Sequence, residues 1–222
     1  MAGAGADGQT TIMANGMAGG APGQIPRCPL LVVLSGPSGV GKTTITQALA
    51  RRGWPGHIVV TATTRRPRPG EVDGVHYHFR SPEEFQRMIQ VGELLEHAEV
   101  HGNWYGVPAT PVRAQLAAGK DVILTIDPQG ARTIRQRTRG AVSVFLVPES
   151  LEELVARMNQ RDTDTAEQRA LRLLDAEREM AELPTYDYLI VNRQDRLDDA
   201  VATLLAILAA EHCRVAARCP EV

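Results

Sequence analysis

A glycine-rich loop near the start of the chain constrains its fold more than any other feature of the sequence. Gly36–Thr43 reads GPSGVGKT, which fits the G-x-x-x-x-G-K-[ST] pattern of a phosphate-binding loop, and it follows the apolar run Leu30–Leu34. Such a loop joins a buried strand to a helix, because its glycines let successive backbone N–H groups turn inward around an anion at the helix N-terminus. The sequence therefore predicts a strand–loop–helix unit that binds phosphate.

The side chains of this loop have expected roles in holding a nucleoside triphosphate. Lys42 is expected to reach the terminal phosphates, and the Thr43 hydroxyl to ligate the Mg²⁺ that accompanies them. The predicted ATP-binding set is Gly36, Pro37, Ser38, Gly39, Val40, Gly41, Lys42, Thr43 and Thr44. The alternative is a glycine-rich turn that matches by chance, and the preceding apolar run argues against it. The loop alone does not say whether phosphate goes to water, a protein or a small molecule.

Bulk composition limits the remaining possibilities. The chain has 222 residues and 43% hydrophobic content, enough for one sizeable core with insertions rather than several domains. Its formal net charge of -2 gives no electrostatic case for binding nucleic acid or a membrane surface. The richest apolar stretch, Ala200–Ala210, is too short to cross a bilayer and is expected to be a core-facing helix.

The cysteines and the N-terminal segment carry weaker signals. Cys28, Cys213 and Cys219 are odd in number and have no metal-like spacing, which argues against a disulfide framework and favours a reducing, cytoplasmic location. Residues 1–27, rich in Gly and Ala, are predicted to form a disordered tail without targeting information. The alternative for this tail is a short arm that orders against a partner subunit.

Strand and helix signals alternate after the loop. Short apolar runs predict strands at His57–Thr61, Val122–Ile126, Val142–Val147 and Tyr188–Val191. Helices are predicted over Thr44–Arg52, after the Ser81 and Ser150 capping boxes, from Thr110-Pro111, and from Ala166 to about Leu183. This order predicts an α/β fold with a parallel sheet and helices on both faces.

The segment Thr61–Val107 has a different character. Two of its arginines, Arg65 and Arg68, stand on a turn stiffened by Pro and Gly, which suits a dianionic phosphate because guanidinium groups offer paired donors. Its histidines lie in sequence predicted to be irregular or turn, without the acidic or cysteine ligands of a zinc site. The segment is therefore predicted to bind the phosphate acceptor.

Two motifs in this segment resemble those of the guanylate kinase family. Thr63–Glu71 reads TTRRPRPGE and Gly102–Gly106 reads GNWYG, and the resemblance extends from Leu30 to about Ala210. It implies a P-loop NTPase-type parallel sheet flanked by helices, with a mixed GMP-binding insert and a helical lid. The implied boundaries are a core of residues 28–60, 108–150 and 184–222, an insert of residues 61–107 and a lid of residues 151–183.

The resemblance also implies an activity, namely transfer of the γ-phosphoryl group of ATP to GMP with Mg²⁺. Residues implied to hold the GMP phosphate are Thr61, Arg65, Arg68, Tyr77 and Tyr105. Glu96 and Asp127 are implied to read the base, because the N1–H and exocyclic amine of guanine require acceptors. Those implied in catalysis are Lys42, Arg65, Arg157, Arg161 and Arg172, and Asn192 is implied to lie near the adenine ring.

Several positions depart from the family pattern. Thr125 stands where a carboxylate near the metal is usual, from which weaker Mg²⁺ binding is expected. Val107 replaces a hydroxyl residue that touches guanine, and Gln160 and Asp162 replace lid glycines. Two other functions compete, a kinase acting on a sugar phosphate and a scaffold that only binds partners. The acidic pair argues against the first, and the intact loop against the second. The oligomeric state is not indicated.

Overall fold

The computed structural model describes residues 27–159 and 174–222, and the larger of its two sheets is parallel. Its strands, in spatial order, are β2 (His57–Ile58), β7 (Val122–Thr125), β1 (Leu31–Ser35), β8 (Val142–Pro148) and β9 (Tyr188–Asn192). All its pairings are parallel. The prediction of a parallel sheet is confirmed, with strand ends differing from those predicted by a few residues at most.

Strand β1 is central and fully buried because its side chains alternate between two cores. Val32 and Leu34 belong to one cluster of buried residues, whereas Leu31 and Val33 belong to another. Successive side chains of a strand point to opposite faces, so the two clusters lie on opposite faces of the sheet. An uninterrupted apolar run is what a strand covered on both faces requires.

Helices supply the cover on each face. The described helices are α1 (Lys42–Arg51), α2 (Pro82–Gln90), α3 (Ala109–Ala117), α4 (Pro128–Arg137), α5 (Leu151–Asn159), α6 (residues 174–180) and α7 (Leu197–His212), of which α2 packs against the smaller sheet instead. Helices α1 and α7 pack into the first cluster, and α3 and α4 into the second. Of the predicted helix Ala166–Leu183, residues 166–173 lie outside the described residues. The described part ends at residue 180, before a 3₁₀ turn at Leu183–Thr185.

The smaller sheet is built from the segment between β2 and α3. Its spatial order is β4 (His78–Phe79), β3 (Ala62–Thr63), β6 (Asn103–Pro108) and β5 (Leu94–Val100). Strands β5 and β6 form a hairpin whose two turn residues, His101 and Gly102, both have positive φ, as a type I′ turn requires. The prediction of irregular sequence for every histidine here is wrong, since His78 and His97 lie within strands.

Helix α2 begins as its sequence predicts. The Ser81 hydroxyl accepts a hydrogen bond from the backbone N–H of Glu84, and the Glu84 carboxylate accepts one from the backbone N–H of Ser81. This reciprocal pair is a capping box, which satisfies two N–H groups that the helix leaves unpaired. Phe85 and Met88 then face inward onto Ala62 of the smaller sheet.

The two described ends of the chain are joined by a disulfide between Cys28 and Cys219. The odd count, which argued against disulfide bonding, was therefore misleading, because it is also satisfied by one pair and one exposed free thiol, Cys213. The C-terminal segment returns to the start of β8, where the Glu221 backbone N–H donates to the Arg139 carbonyl. Among the described residues, no helix is long and apolar enough to cross a membrane.

Candidate active site

The glycine-rich loop leaves β1 and ends at the first turn of α1. Gly36 has a φ of 141°, and a Cβ built on it would lie 2.2 Å from the Leu146 carbonyl oxygen, so a larger residue cannot occupy the position. The N-cap of α1 is Gly41, which has no side chain to cap the helix. The first N–H groups of α1 are therefore available to an anion, as expected of a phosphate-binding loop.

Lys42 folds back across the mouth of this loop. Its Nζ donates hydrogen bonds to the carbonyl oxygens of Gly36 and Pro37, the second at 3.1 Å. The same side chain lines the cleft described below. The ammonium group thus lies at the loop, where a bound polyphosphate would be held.

A second group of residues supports the loop from outside the cleft. Asn192, at the end of β9, donates from Nδ2 to the Val40 carbonyl oxygen at 2.7 Å. Arg157, on α5, donates to the same oxygen at 3.3 Å and to the Asn192 carbonyl at 3.0 Å, and it pairs with Glu153. Neither Asn192 nor Arg157 lines the cleft. Their predicted contacts with ATP stay predictions.

The turn that carries the two arginines is organised by Glu71. Its carboxylate accepts a hydrogen bond from the Arg65 guanidinium at 2.8 Å and one from the Arg68 backbone N–H at 2.7 Å. Burial alone would raise the pKa of Glu71, but these hydrogen bonds outweigh it, so the pKa lies below its usual value. The Arg65 guanidinium lies 5.3 Å from the centre of the Tyr77 ring. Glu71 therefore pre-positions a cationic group that sequence reasoning assigned to phosphate binding.

Two aromatic hydroxyl residues complete this end of the cleft. The rings of Tyr77 and Tyr105 are 6.0 Å apart between centroids and meet edge to face. Burial, together with the charge of Tyr105, raises the pKa of Tyr77, so its hydroxyl keeps its proton and can donate to an anion. Thr61, which is buried, lines the same surface.

A buried carboxylate lies between the smaller sheet and α4. Glu96 on β5 is only 2% exposed, and its Oε2 has no hydrogen-bond partner among the described residues. A Cβ built on Gly130 would lie 2.6 Å from this oxygen, so a larger residue at the start of α4 would displace the Glu96 carboxylate. Asp127 caps that helix by accepting from the backbone N–H groups of Gln129 and Gly130.

The pKa of Glu96 is raised to about 8, first by burial and then by the nearby charge of Asp127. At neutral pH the protein therefore holds a proton on Glu96 until a ligand supplies donors to its oxygens. A buried polar atom without a partner in a cleft indicates a ligand-binding position.

One cleft of about 400 Å³ connects these groups. The sequence-predicted residues that line it are Ser38, Gly39, Val40, Gly41, Lys42, Thr43, Thr44, Thr61, Arg65, Arg68, Tyr77, Glu96, Tyr105 and Asp127. Gly36, Pro37, Arg157 and Asn192 do not line it. Arg161 and Arg172 lie outside the described residues. The structure thus brings the phosphate-binding loop and the arginine turn into the lining of one cavity.

Sequence reasoning gave no role to two acidic residues of this cleft, Glu71, described above, and Glu179. Glu179, on α6, accepts a hydrogen bond from the backbone N–H of Ser38 at 3.3 Å. The two residues are 141 positions apart, and the helical sequence around Glu179 contains no motif that marks it. Only the packing of α6 against the loop reveals this contact.

Comparison with known proteins agrees with this geometry. The sequence profile of the guanylate kinase family matches residues 29–211. The chain belongs to the guanylate kinase family. Among curated guanylate kinases, it is 50% identical to that of Desulfitobacterium hafniense over 186 residues, covering 84% of this chain and 92% of the relative. It is 51% identical to that of Symbiobacterium thermophilum over 185 residues, covering 83% and 87%.

A solved structure supports the fold of this guanylate kinase family member. The crystal structure of guanylate kinase from Anaplasma phagocytophilum superposes with a TM-score of 0.71 at 34% identity, covering 85% of this chain and 89% of that one. The prediction of a P-loop NTPase-type α/β fold is confirmed. The chain is an enzyme of the guanylate kinase type, and it shares the nucleotide-binding loop of these kinases.

Proposed function

We propose that this enzyme transfers the γ-phosphoryl group of ATP to GMP, giving ADP and GDP. The observation that carries the proposal is the shared cleft, with a phosphate-binding loop at one part and paired arginines with a buried carboxylate at the other. A phosphoryl transfer between two nucleotides needs two anion-binding surfaces that face one reacting phosphorus. The names of the relatives point to the same reaction.

Recognition of guanine is assigned to Glu96 and Asp127. Guanine presents two hydrogen-bond donors, the N1–H and the exocyclic amine. The Oε2 of Glu96 is an acceptor that has no hydrogen-bond partner among the described residues. Adenine lacks the N1–H and would leave the ionised carboxylate unsatisfied. A buried polar group without a partner costs about 1–3 kcal/mol, so the preference for guanine follows from burial.

Binding of the GMP phosphate is assigned to Arg65, Arg68, Tyr77, Tyr105 and Thr61. The arginine turn is already held by Glu71, so little side-chain ordering remains to be done when the phosphate arrives. The hydroxyl of Tyr77, whose pKa is raised by burial, and that of Tyr105 supply hydrogen-bond donors. These groups orient the acceptor oxygen toward the loop that holds Lys42.

The donor phosphates are assigned to the backbone N–H groups of the loop and to Lys42. Arg157, Arg161 and Arg172 are the arginines proposed to neutralise charge as transfer proceeds. For Arg157, its contacts with the Val40 and Asn192 carbonyls favour a role through the loop that it supports. Asn192 would act in the same way, by holding the loop through its hydrogen bond to the Val40 carbonyl.

The reaction needs no proton transfer from the protein. An oxygen of the GMP phosphate, anionic at neutral pH, forms the bond to the γ-phosphorus while the bond to the β–γ bridging oxygen breaks and its electron pair leaves with ADP. Closure of a lid over the cleft, proposed for residues 151–183, would exclude water as a competing acceptor.

The donor set fits Mg²⁺ that arrives with ATP. Thr43 lines the cleft at the start of α1. Thr125 lines it too, and its buried hydroxyl has no hydrogen-bond partner among the described residues. In the described part of the chain no three His, Cys, Asp or Glu side chains are placed to hold a metal on their own. Bound Mg²⁺ supplies positive charge to the phosphate oxygens, and Thr43 would hold it, with Thr125 nearby.

An acceptor panel tests the proposal. ADP release is measured with GMP, dGMP, AMP, CMP, UMP and a sugar phosphate, for the wild-type protein, Lys42→Ala and Glu96→Gln. The matched controls are Lys120→Ala and Glu99→Gln, which alter exposed residues outside the cleft. We expect GMP to be preferred, Lys42→Ala to lose activity, and Glu96→Gln to lose discrimination against AMP by about 10-fold or more.

Other outcomes identify the competing functions. A faster rate with AMP, a pyrimidine nucleotide or the sugar phosphate contradicts the acceptor assignment. Absence of turnover with every acceptor, together with ATP binding, indicates a protein that only binds nucleotide.

We also propose a cytoplasmic location, because the reaction needs ATP as donor. The Cys28–Cys219 disulfide argues in the opposite direction, since disulfides are rare in reducing compartments. Titrating free thiols in protein purified under alkylating conditions tests it. Recovery of only the Cys213 thiol contradicts a reducing location.

A further inference from the structure

Glu179 occupies part of the surface that the donor phosphates would use. Its Oε2 accepts the backbone N–H of Ser38, one of the amides of the phosphate-binding loop, and its side chain lines the same cleft as Lys42. A phosphate bound in that loop needs the same amides. A carboxylate and a phosphate therefore compete for one donor.

The position of Glu179 is set by the packing of α6. Ala176, one turn earlier, is buried in the first core cluster. The following turn is tied to α4 by ion pairs of Glu182 with Arg132 and Arg135. Earlier in α6, Asp175 contacts the β5–β6 hairpin, where its Oδ2 lies 3.7 Å from Nδ1 of His101. The carboxylate is thus presented from a helix held at several points.

The surroundings of Glu179 act on its pKa in both directions. Burial raises its pKa, and the charges of Asp127 and Asp175 add to this effect, while Lys42 and the Ser38 N–H oppose it. When ionised, this side chain adds negative charge to a cleft that must accept a polyphosphate. A bare polyphosphate meets repulsion there, whereas a polyphosphate carrying a divalent cation brings a charge of opposite sign.

We propose that Glu179 is a specificity-determining residue of the donor site, selecting polyphosphate complexed with a divalent cation over the uncomplexed anion. The inference rests on the proposed function, because it takes ATP as the ligand of the loop. Glu179 disfavours free ATP by occupying the Ser38 amide and by like-charge repulsion. It disfavours the Mg²⁺ complex much less, because the cation offsets that repulsion.

Equilibrium binding tests this inference without turnover. Dissociation constants for ATP are measured by calorimetry in EDTA and in excess Mg²⁺, without GMP. The variants are Glu179→Gln, which keeps size and an acceptor but removes charge, Glu179→Ala, and the control Glu177→Gln, which alters an exposed residue of the same helix. Thermal melting of each variant checks that it is folded.

For Glu179→Gln we expect affinity for metal-free ATP to rise by about 10-fold while affinity for the Mg²⁺ complex changes by less than about threefold. The dissociation constant in EDTA divided by the dissociation constant in Mg²⁺ therefore falls. Glu179→Ala shows the same fall in this ratio. Glu177→Gln keeps the wild-type ratio.

The outcomes separate this inference from the proposed function. If both Glu179 variants keep the wild-type ratio, or increase it, the carboxylate does not select the metal complex and the inference is wrong. If the wild-type protein binds ATP in neither condition, the proposed function fails first. Equal tightening in EDTA and in Mg²⁺ also contradicts the inference, because it indicates simple competition without selectivity.

Discussion

The affinity for GMP is expected to rise with pH between 7 and 9 because of Glu96. The carboxylate must be ionised to offer acceptors to both guanine donors, whereas its protonated form presents one O–H donor to them. Since the pKa of Glu96 is about 8 in the free protein, only about one tenth of the molecules carry the ionised form at pH 7. Near pH 9 about nine tenths carry it.

The magnitude follows from these populations. An apparent dissociation constant equals the intrinsic one divided by the fraction of binding-competent protein, so GMP should bind about 10-fold more tightly at pH 9 than at pH 7. This corresponds to about 1.4 kcal/mol. Binding at pH 7 should also release close to one proton per GMP.

Calorimetry of GMP binding in the absence of ATP measures both quantities. Titrations at constant ionic strength over pH 7 to 9 give the affinity, and repeating them in buffers of different ionisation enthalpy gives the proton count. The GMP phosphate itself titrates near pH 6, so it contributes little in this range. Glu96→Gln should bind with an affinity that no longer depends on pH, and Glu99→Gln should behave as the wild type.

A flat wild-type affinity between pH 7 and 9 would refute the reasoning. So would a Glu96→Gln variant that keeps the full pH dependence, because another group would then carry the proton.

The same raised pKa of Glu96 predicts how the stability of the fold changes with pH. An acid whose folded-state pKa exceeds its unfolded value stabilises the fold below the unfolded pKa, near 4.5, and that stability is lost as pH rises toward about 8.

Three further predictions concern the scaffold of the site. Cys219→Ser should lower the melting temperature, because the disulfide closes nearly the whole chain and is worth up to about 5 kcal/mol, whereas Cys213→Ser should not; melting curves of both variants check this. Gly36→Ala should cost at least about 2 kcal/mol of unfolding free energy in urea titrations, since its Cβ would collide with the Leu146 carbonyl. Arg157→Ala should weaken ATP binding several-fold and leave GMP binding unchanged in calorimetric titrations, because the guanidinium holds the loop.

The features that the sequence predicts well are local ones. The phosphate-binding loop is recognisable because its function depends on particular backbone conformations in consecutive residues. Glycines at fixed spacing indicate those conformations. The buried strands are recognisable because burial on both faces requires runs of mostly apolar residues, as in β1 and β8. The capping box of Ser81 and Glu84 is recognisable too, because its two residues are close together in the sequence.

Short strands and long-range contacts were not predictable in this way. Strands β3 and β4 have two residues each, too few to show a period of two. The residues of the Glu179–Ser38 contact and of the Cys28–Cys219 pair are 141 and 191 positions apart, and no local pattern encodes such a meeting. The resemblance implies roles for Arg65 and Arg68, but only the folded structure shows that Glu71 orders their turn.

The disulfide also makes the folded polypeptide a covalent ring. The Cα atoms of Cys28 and Cys219 are 5.2 Å apart, so a peptide linker of a few residues can span the same gap. A circularly permuted gene, opened at the exposed turn Gly119–Lys120, would then encode the same fold without the two thiols. A segment attached at Cys28 and one attached at Cys219 would therefore leave the fold at neighbouring points.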